Sequence, residues 1–479
     1  MIARWTLALA LALAVAGAVL GDEASEGRAG EGLDLSLCGP CKGGGRAWFD
    51  RSGFLHARWN KFFPVAVDCT ARRGDAAWHP LLESGVTLLL SDRKLSEAEL
   101  EDCWSNGVRV AYAKGIACST NDAKAVLGNF GGVVPVRAHL AADVWRSVAD
   151  GAKGVRMNAA EARSPEGAQL IADVRKLGWA LMSEEPPAKV AGAPAQLRVR
   201  TWKSGVDSYL LAVNVGSSPV RASLKLSAKF DVGQLKAGAG LALTGGDAVE
   251  AALGPNGFGV LLLTERAPKL FYAGDSLMAD ASKLGRGSWG EMLIPRLANG
   301  FTRVNLAQGG LSTRTYRNGG YWHNLLRCGK RDDWVIVSFG HNDTSGPDRG
   351  VLLPQFKANL GRFVDEARAE GLKPLFVSSV SGCTFNKDGS YRDHEKLTKY
   401  MTAVKELSSE RDVPLVDLRA ATQAMLKELG AEKARALYMV SQDGKDTTHT
   451  NPEGARRVAD CFVRAAAKLN LPFLGAVAQ

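Results

Sequence analysis

Gly274-Asp275-Ser276 closes a short apolar run and is followed by Leu277 and a stretch with helical spacing. A serine on a tight strand-to-helix turn has an exposed hydroxyl, and its N–H sits at a helix N-terminus, where it can face a developing oxyanion. Ala307-Gln308-Gly309-Gly310 follows a second apolar run, and its glycines let a backbone N–H approach a ligand closely. Gly340-His341-Asn342-Asp343 follows a third run and supplies a side-chain amide donor. Near the C-terminus, Asp446-Thr447-Thr448-His449 places a carboxylate three residues before a histidine, able to hold its imidazole in one tautomer. These are the parts of an acyl-transfer site: Ser276 as nucleophile, His449 as base and Asp446 as orienting acid. The Ser276 and Gly310 N–H groups and the Asn342 amide would form the oxyanion hole.

Each fragment alone is weak, because Gly-Asp-Ser is common in turns and a lone Asp-x-x-His is little better. The reading rests on four fragments in order, each at the C-terminal end of a strand-like run. His323, His341 and His394 compete as bases and are read as structural, with His341 holding the Asn342 loop. Arg314, Arg317 and His341 are the candidate substrate contacts.

With these blocks in view, residues 269–460 resemble the SGNH (GDSL-like) hydrolases, and within them the rhamnogalacturonan acetylesterase family. The matching blocks are Gly274 to Ser276, Asn305 to Gly310, Phe339 to Asp343 and Asp446 to Ala455, with Tyr321-Trp322 and Ser378 to Ser381 similar as well. The resemblance implies removal of acetyl groups from a polysaccharide without metal or cofactor. Leu277 stands where the family often has a small polar residue. Leu311 stands where it often has Arg, with Arg314 three residues on. Both departures bear on the shape of the substrate cleft and so on which polysaccharide is taken.

The elements that must position these residues alternate regularly. Leu270–Ala273, Arg303–Leu306, Trp334–Ser338, Leu375–Ser379 and Val413–Asp417 read as strands. Helical stretches such as Leu353–Glu370 and His394–Arg411 separate most of them. The expected fold for 266–479 is therefore α/β, a doubly wound, flavodoxin-like five-stranded parallel sheet whose ligands bind beyond the carboxyl ends of the strands. The 479 residues suggest about three domains. Residues 196–265 show alternating strands with Gly, Ser and Asn turns, which suits a small β-sandwich. A linker from Glu185 to Pro194 precedes it. Residues 46–187 alternate strand and helix signals, with Phe62–Val67 read as one buried strand.

Residues 1–21 carry Arg4 and an apolar Leu/Ala run followed by small residues, which reads as a secretory signal peptide. Residues 22–45, rich in Gly and Glu, read as a linker. The expected location is outside the cytoplasm, extracellular or periplasmic, with no membrane partner after leader removal. Export permits disulfides, and there are eight cysteines. Bridges and free buried thiols are equally compatible with their spacing, and Cys38-Gly39-Pro40-Cys41 alone is too little for a zinc site.

Hydrophobic residues at 46% and charged residues at 23% exclude a disordered chain. The net charge of +10 comes without a basic run or reading motif, which argues against nucleic acid. Between Met292 and Arg331 lie seven basic residues (Arg296, Arg303, Arg314, Arg317, Arg327, Lys330, Arg331) and no acid. This window includes Gly310, so a basic rim would favour an anionic polymer such as pectin. Scattered solvated charges are the plainer alternative.

The segment from Trp48 to Val67 and the one from Asp143 to Arg156 resemble strands of glycosidase-type (β/α) barrels. Residues 46–187 are then a shortened barrel, since a full one takes roughly 250 residues. Asp68 with Glu184 or Glu185 are the only carboxyls that can be placed for a second hydrolytic site. A scaffold or carbohydrate-binding role is preferred, with Trp48, Trp59, Trp78 and Trp104 able to stack on sugars or to serve as core. The expected function is a secreted polysaccharide O-acetylesterase of the pectin or rhamnogalacturonan type. A lipase or thioesterase of the same fold, or a carbohydrate-binding protein with a dead hydrolase fold, are the alternatives.

Overall fold

The computed structural model describes residues 139–475 except 153, 347 and 348, together with 86, 95, 96, 99, 103, 108 and the strands before residue 139 named below. The chain forms two compact units, residues 1–104 with 108–172, and residues 105–107 with 173–479.

In the first unit, Val65–Asp68, Leu88–Ser91, Arg109–Ala113 and Val155–Asn158 form parallel pairings, and Leu33–Asp34 adds an antiparallel edge. The described strands form an open row, and no pairing that would close a barrel occurs among the described residues. The run expected as one strand from Phe62 to Val67 divides. Asn60–Phe62 pairs with Leu55–Ala57, which also pairs with Ala47–Phe49, in a small antiparallel sheet, whereas Val65–Asp68 joins the parallel one. Pro64, which has no N–H to donate to a ladder, lies between them. The leader and most of the linker fall outside the described residues, as do Trp59, Trp78 and Trp104.

The second unit begins with two antiparallel four-stranded sheets. One is built from Leu197–Ser204, Asp207–Asn214, Phe258–Thr264 and Val232–Gly238. The other is built from Leu241–Thr244, Ala248–Leu253, Val220–Leu226 and Val190–Ala191. Leu210, Leu224, Val249 and Leu261 fill the space they share. The expected linker differs here, because Val190–Ala191 is an edge strand and Val190 packs against that core. Glu185, one of the carboxyls weighed for a second site, accepts the Gly205 N–H at 2.8 Å.

The α/β part is a parallel sheet of β1 (Lys269–Gly274), β2 (Thr302–Asn305), β3 (Trp334–Ser338), β4 (Lys373–Val377) and β5 (Leu415–Val416). Their order is β2-β1-β3-β4-β5, the doubly wound arrangement the sequence suggests. Every residue of β1 is buried, which is why it reads as an unbroken apolar run rather than an alternating one.

Side chains alternate between the two faces. Phe271, Ala273, Val335 and Val337 join the core under α1 (Leu353–Ala369) and α2 (Glu395–Glu410). Leu270, Tyr272, Ile336 and Leu375 join the opposite core with α3 (Leu418–Arg435) and α4 (Pro452–Ala466). Each such large apolar side chain contributes ~1.5–3 kcal/mol by burial, so the central strands are the rigid base of the site.

The two antiparallel sheets and the parallel sheet lie in one unit and share buried polar contacts. Lys269 pairs with Asp207 at 2.7 Å, and the Arg327 guanidinium donates to the Tyr209 hydroxyl at 2.8 Å. Cys328, Cys383 and Cys461 are buried free thiols, the second of the two outcomes their spacing allowed.

Candidate active site

Ser276 sits just past the end of β1. Gly274 is required there, because a Cβ at that position would lie 2.7 Å from the Met278 methyl and 2.9 Å from the Ser338 carbonyl. Asp275 shapes the turn by accepting the Leu277 N–H at 3.0 Å. After β2, the Gln308 N–H binds the Gly274 carbonyl at 3.0 Å and brings Gly309 and Gly310 beside the serine. Gly310 has φ 79°, a left-handed conformation costly for residues with a Cβ. Among the described residues, neither the Ser276 nor the Gly310 N–H is taken by a backbone partner. After β3, Asn342 is 8% exposed and donates to the Leu311 carbonyl at 3.0 Å, which fixes its amide and leaves its second N–H available.

His449 arrives from the far end of the chain. Its N–H and that of Thr448 donate to Asp446 Oδ1 at 3.0 and 3.1 Å, so the three-residue spacing makes a self-capped turn. The Met439 N–H binds the His449 carbonyl at 2.9 Å, and the Gly287 N–H binds the Thr450 carbonyl at 2.8 Å. Asn451 then caps α4 by accepting the Gly454 N–H at 2.9 Å.

Thus clamped, His449 Nε2 lies 2.8 Å from Ser276 Oγ, and His449 Nδ1 lies 2.8 Å from Asp446 Oδ2. A neutral imidazole with its proton on Nδ1 donates to the carboxylate and accepts from the serine hydroxyl. Burial pushes the Asp446 carboxyl up, but the His449 N–H, its imidazole and the Thr448 N–H outweigh that. The group ends below the usual carboxylate range and stays ionised.

A cleft of about 680 Å³ opens over these groups, lined among others by Ser276, Gly310, Asn342 and His449. Asn305, Gln308, Arg286 and Arg349 give it polar walls, and Ala279, Ala281, Leu284 and Ala307 apolar ones.

Of the candidate substrate contacts, none of Arg314, Arg317 and His341 is among the residues lining this cleft. Arg317 makes a two-pronged pair with Glu366, both distances 2.6 Å, and does not line the cleft. Arg314 is half-buried and also absent from the lining. His341 turns its Nδ1 to Ser379 Oγ at 2.8 Å. Burial, with Arg419 beside it, pushes its pKa down to about 3, so it remains neutral. His394 caps α2 by accepting the Leu397 N–H at 3.1 Å, and His323 is buried.

The basic rim expected between Met292 and Arg331 is largely consumed by partners, because a half-buried guanidinium or ammonium is stable only when paired. Arg296 pairs with Asp460, Arg303 with Glu291 and Lys330 with Asp333, besides Arg317 and Arg327. The cations that do face the cleft are Arg286 and Arg349, from outside that window. Sequence reasoning missed both, since no local pattern marks them. Arg286 lies 3.2 Å from Asp446 Oδ2. Arg349 is exposed, with its guanidinium 3.5 Å from where a Cβ on Gly310 would sit.

Two buried acids underlie the site. Asp343 ties the Asn342 loop to the Gly310 loop by accepting the Thr313 N–H at 2.9 Å and the Thr313 hydroxyl at 2.6 Å. Burial, against these hydrogen bonds, pushes its pKa up to about 6. Burial pushes Asp275 up to about 7 against the Leu277 N–H, and the Asp343 charge adds to the rise.

A family model described as the GDSL-like Lipase/Acylhydrolase family matches residues 272–457. The chain is 31% identical over 215 residues to the rhamnogalacturonan acetylesterase RhgT of Bacillus subtilis, covering 43% of this chain and 91% of that one. It is 26% identical over 224 residues to a rhamnogalacturonan acetylesterase of Emericella nidulans, covering 43% and 87%. Among solved structures, a variant of Axe2, an acetyl xylan esterase from Geobacillus stearothermophilus, aligns at 21% identity over 41% of this chain and 94% of that one, with a TM-score of 0.33. The sequence match to RhgT runs almost the whole length of that relative, and the chain belongs to the GDSL-like lipase/acylhydrolase family as a serine esterase.

Proposed function

We propose that this esterase is a secreted carbohydrate O-acetylesterase that removes acetyl groups from a pectin- or rhamnogalacturonan-type polysaccharide. The observation that carries the reading is the continuous relay from Asp446 through His449 to Ser276, with 2.8 Å at each step, in a cleft of mixed polar and apolar lining. The relatives' acetylesterase names support the acetyl group and the polysaccharide as substrate.

In the proposed cycle His449 takes the Ser276 proton as the hydroxyl oxygen attacks the acetyl carbonyl. The oxyanion is received by the Ser276 and Gly310 N–H groups and the Asn342 amide. The imidazolium then returns its proton to the departing sugar oxygen. Water, activated by the same imidazole, hydrolyses the acetyl-enzyme and regenerates Ser276. The alanines Ala279, Ala281 and Ala307 suit an acetyl methyl, with Leu284 the one large apolar side chain beside them. Arg349 at the lip supports an anionic polymer, since it has no acidic partner among the described residues. The first unit is read as a scaffold or carbohydrate-binding module.

The test is acetate release from acetylated rhamnogalacturonan and acetylated xylan by the wild type and Ser276→Ala, across a salt series. The reading expects preference for the acidic polymer, weakening as salt rises, and near-complete loss in Ser276→Ala. Turnover retained by Ser276→Ala overturns the mechanism. A salt-independent preference for xylan overturns the anionic substrate.

A further inference from the structure

Arg286 is the one cleft-lining cation among the described residues that touches the catalytic relay. It follows Gly285, which turns the chain at φ 66°, and it precedes Gly287, which docks directly on the histidine segment. A Cβ on Gly287 would come within 2.4 Å of the Asn451 carbonyl and 2.6 Å of the Ala455 methyl, so no other residue permits that approach without displacement. The docking sets the Arg286 guanidinium 3.2 Å from Asp446 Oδ2, with the two side chains 33% and 16% exposed.

That oxygen is the one His449 Nδ1 also contacts, at 2.8 Å. Asp446 Oδ1 is occupied separately by two backbone N–H groups, which prevents the carboxylate from turning. Imidazole and guanidinium therefore face a single carboxylate oxygen, the first by hydrogen bond and the second by charge. We propose that Arg286 is a positioning residue of the esterase site: its guanidinium holds, by charge, the Asp446 oxygen that orients His449, and acts on the imidazolium that forms during turnover.

The physical argument is like-charge repulsion over a shared counter-ion. When His449 takes the Ser276 proton it becomes a cation facing the same oxygen as a permanent cation. Arg286 thus makes the imidazolium a readier donor to the leaving oxygen once formed. Other charges face the relay as well. Asp280 and Arg349 line the cleft, Asp443 and Lys445 precede Asp446 on its own segment, and neutral His341 lies on the neighbouring loop. Of these cations, Arg286 alone is in salt-bridge contact with the orienting acid among the described residues.

The inference rests on the serine-esterase reading of Ser276, which Ser276→Ala tests independently. The experiment is the pH dependence of kcat/KM with 4-nitrophenyl acetate, a neutral ester that makes no use of substrate charge. The variants are R286Q, which removes the charge, and R286K, which keeps it. The acid limb reports the base of the free enzyme. R286Q is expected to move it upward by about 0.5–1 pH unit, the scale of repulsion between partly exposed charges. R286K is expected to keep the limb within about 0.3 unit of the wild type while lowering kcat, because a lysine supplies charge without the planar fork. Thermal unfolding checks that each variant folds, and Arg286→Met replaces R286Q if that variant does not. An acid limb unchanged or lowered in the neutral variant, or raised equally in R286K, overturns the proposal. If Ser276→Ala is dead and the R286Q limb is unmoved, only the Arg286 role falls. If Ser276→Ala turns over, the underlying mechanism falls instead.

Discussion

Asp446→Asn is the sharpest probe of the relay, because the structure decides which way the new amide must face. Asp446 Oδ1 accepts the Thr448 and His449 N–H groups, both held in a turn, while Oδ2 faces His449 Nδ1 and Arg286. An asparagine oxygen must take the place of Oδ1, since an NH2 there would meet two rigid backbone donors. Leaving such groups unpaired costs ~1–3 kcal/mol each. The NH2 then faces His449 Nδ1, and Arg286, a third exposed, can swing into solvent.

Facing a donor, Nδ1 gives up its proton and Nε2 carries it instead. The imidazole can no longer accept from Ser276 Oγ, although the 2.8 Å spacing is kept. A wrong tautomer with intact geometry lowers kcat by ~10³–10⁴-fold while the oxyanion hole sustains a residual rate. The assay is kcat and KM for acetate release with thermal unfolding alongside, and KM should stay within a few-fold of wild type. A variant that folds and retains a tenth or more of wild-type kcat would refute the tautomer argument.

Asn342→Ala removes one oxyanion donor from a fixed position and should lower kcat by ~10²–10³-fold with KM little changed. Loss confined to KM would show that the amide contacts the ground state instead. Asp275→Asn tests the buried acid under the nucleophile through unfolding temperatures at pH 5 and pH 8. Asp275 is pushed up to about 7 in the folded protein, against about 4 unfolded, so the folded state binds the proton more tightly. Its contribution to stability is full below about pH 4 and declines as pH rises towards 7. The neutral asparagine escapes that decline, so the variant should gain on wild type between pH 5 and 8. A pH-independent difference would count against it.

The hydrolase sheet was legible because its central strands are buried on both faces and therefore read as apolar runs. Ser276, Gly310, Asn342, Asp446 and His449 were legible because each stands at a strand end or in a turn whose local sequence has few other uses. Arg317 is not among the cleft-lining residues for a related reason. Closeness in sequence to Gly310 does not fix where a long side chain points, and Glu366 on α1 draws Arg317 away from the cleft. The edge strand Val190–Ala191 was hidden in a Pro- and Ala-rich stretch, since two residues carry no periodic signal.

What the sequence determined by itself was chemistry that depends on short range. Glycines accept the turns after β1 and β2, an aspartate three residues before a histidine caps its own turn, and an asparagine caps α4. What only the tertiary structure decided was which distant groups meet. Arg286 reaches Asp446 because Gly287 lets two loops touch, and Arg349 overhangs Gly310 from another loop. Of the seven basic residues between Met292 and Arg331, Arg296, Arg303, Arg317 and Lys330 went into ion pairs, those of Arg296 and Arg317 with partners far along the chain. Electrostatic contacts act through space, at distances set by packing. A charge count along a chain can therefore say how much charge there is, and only the fold says what it faces.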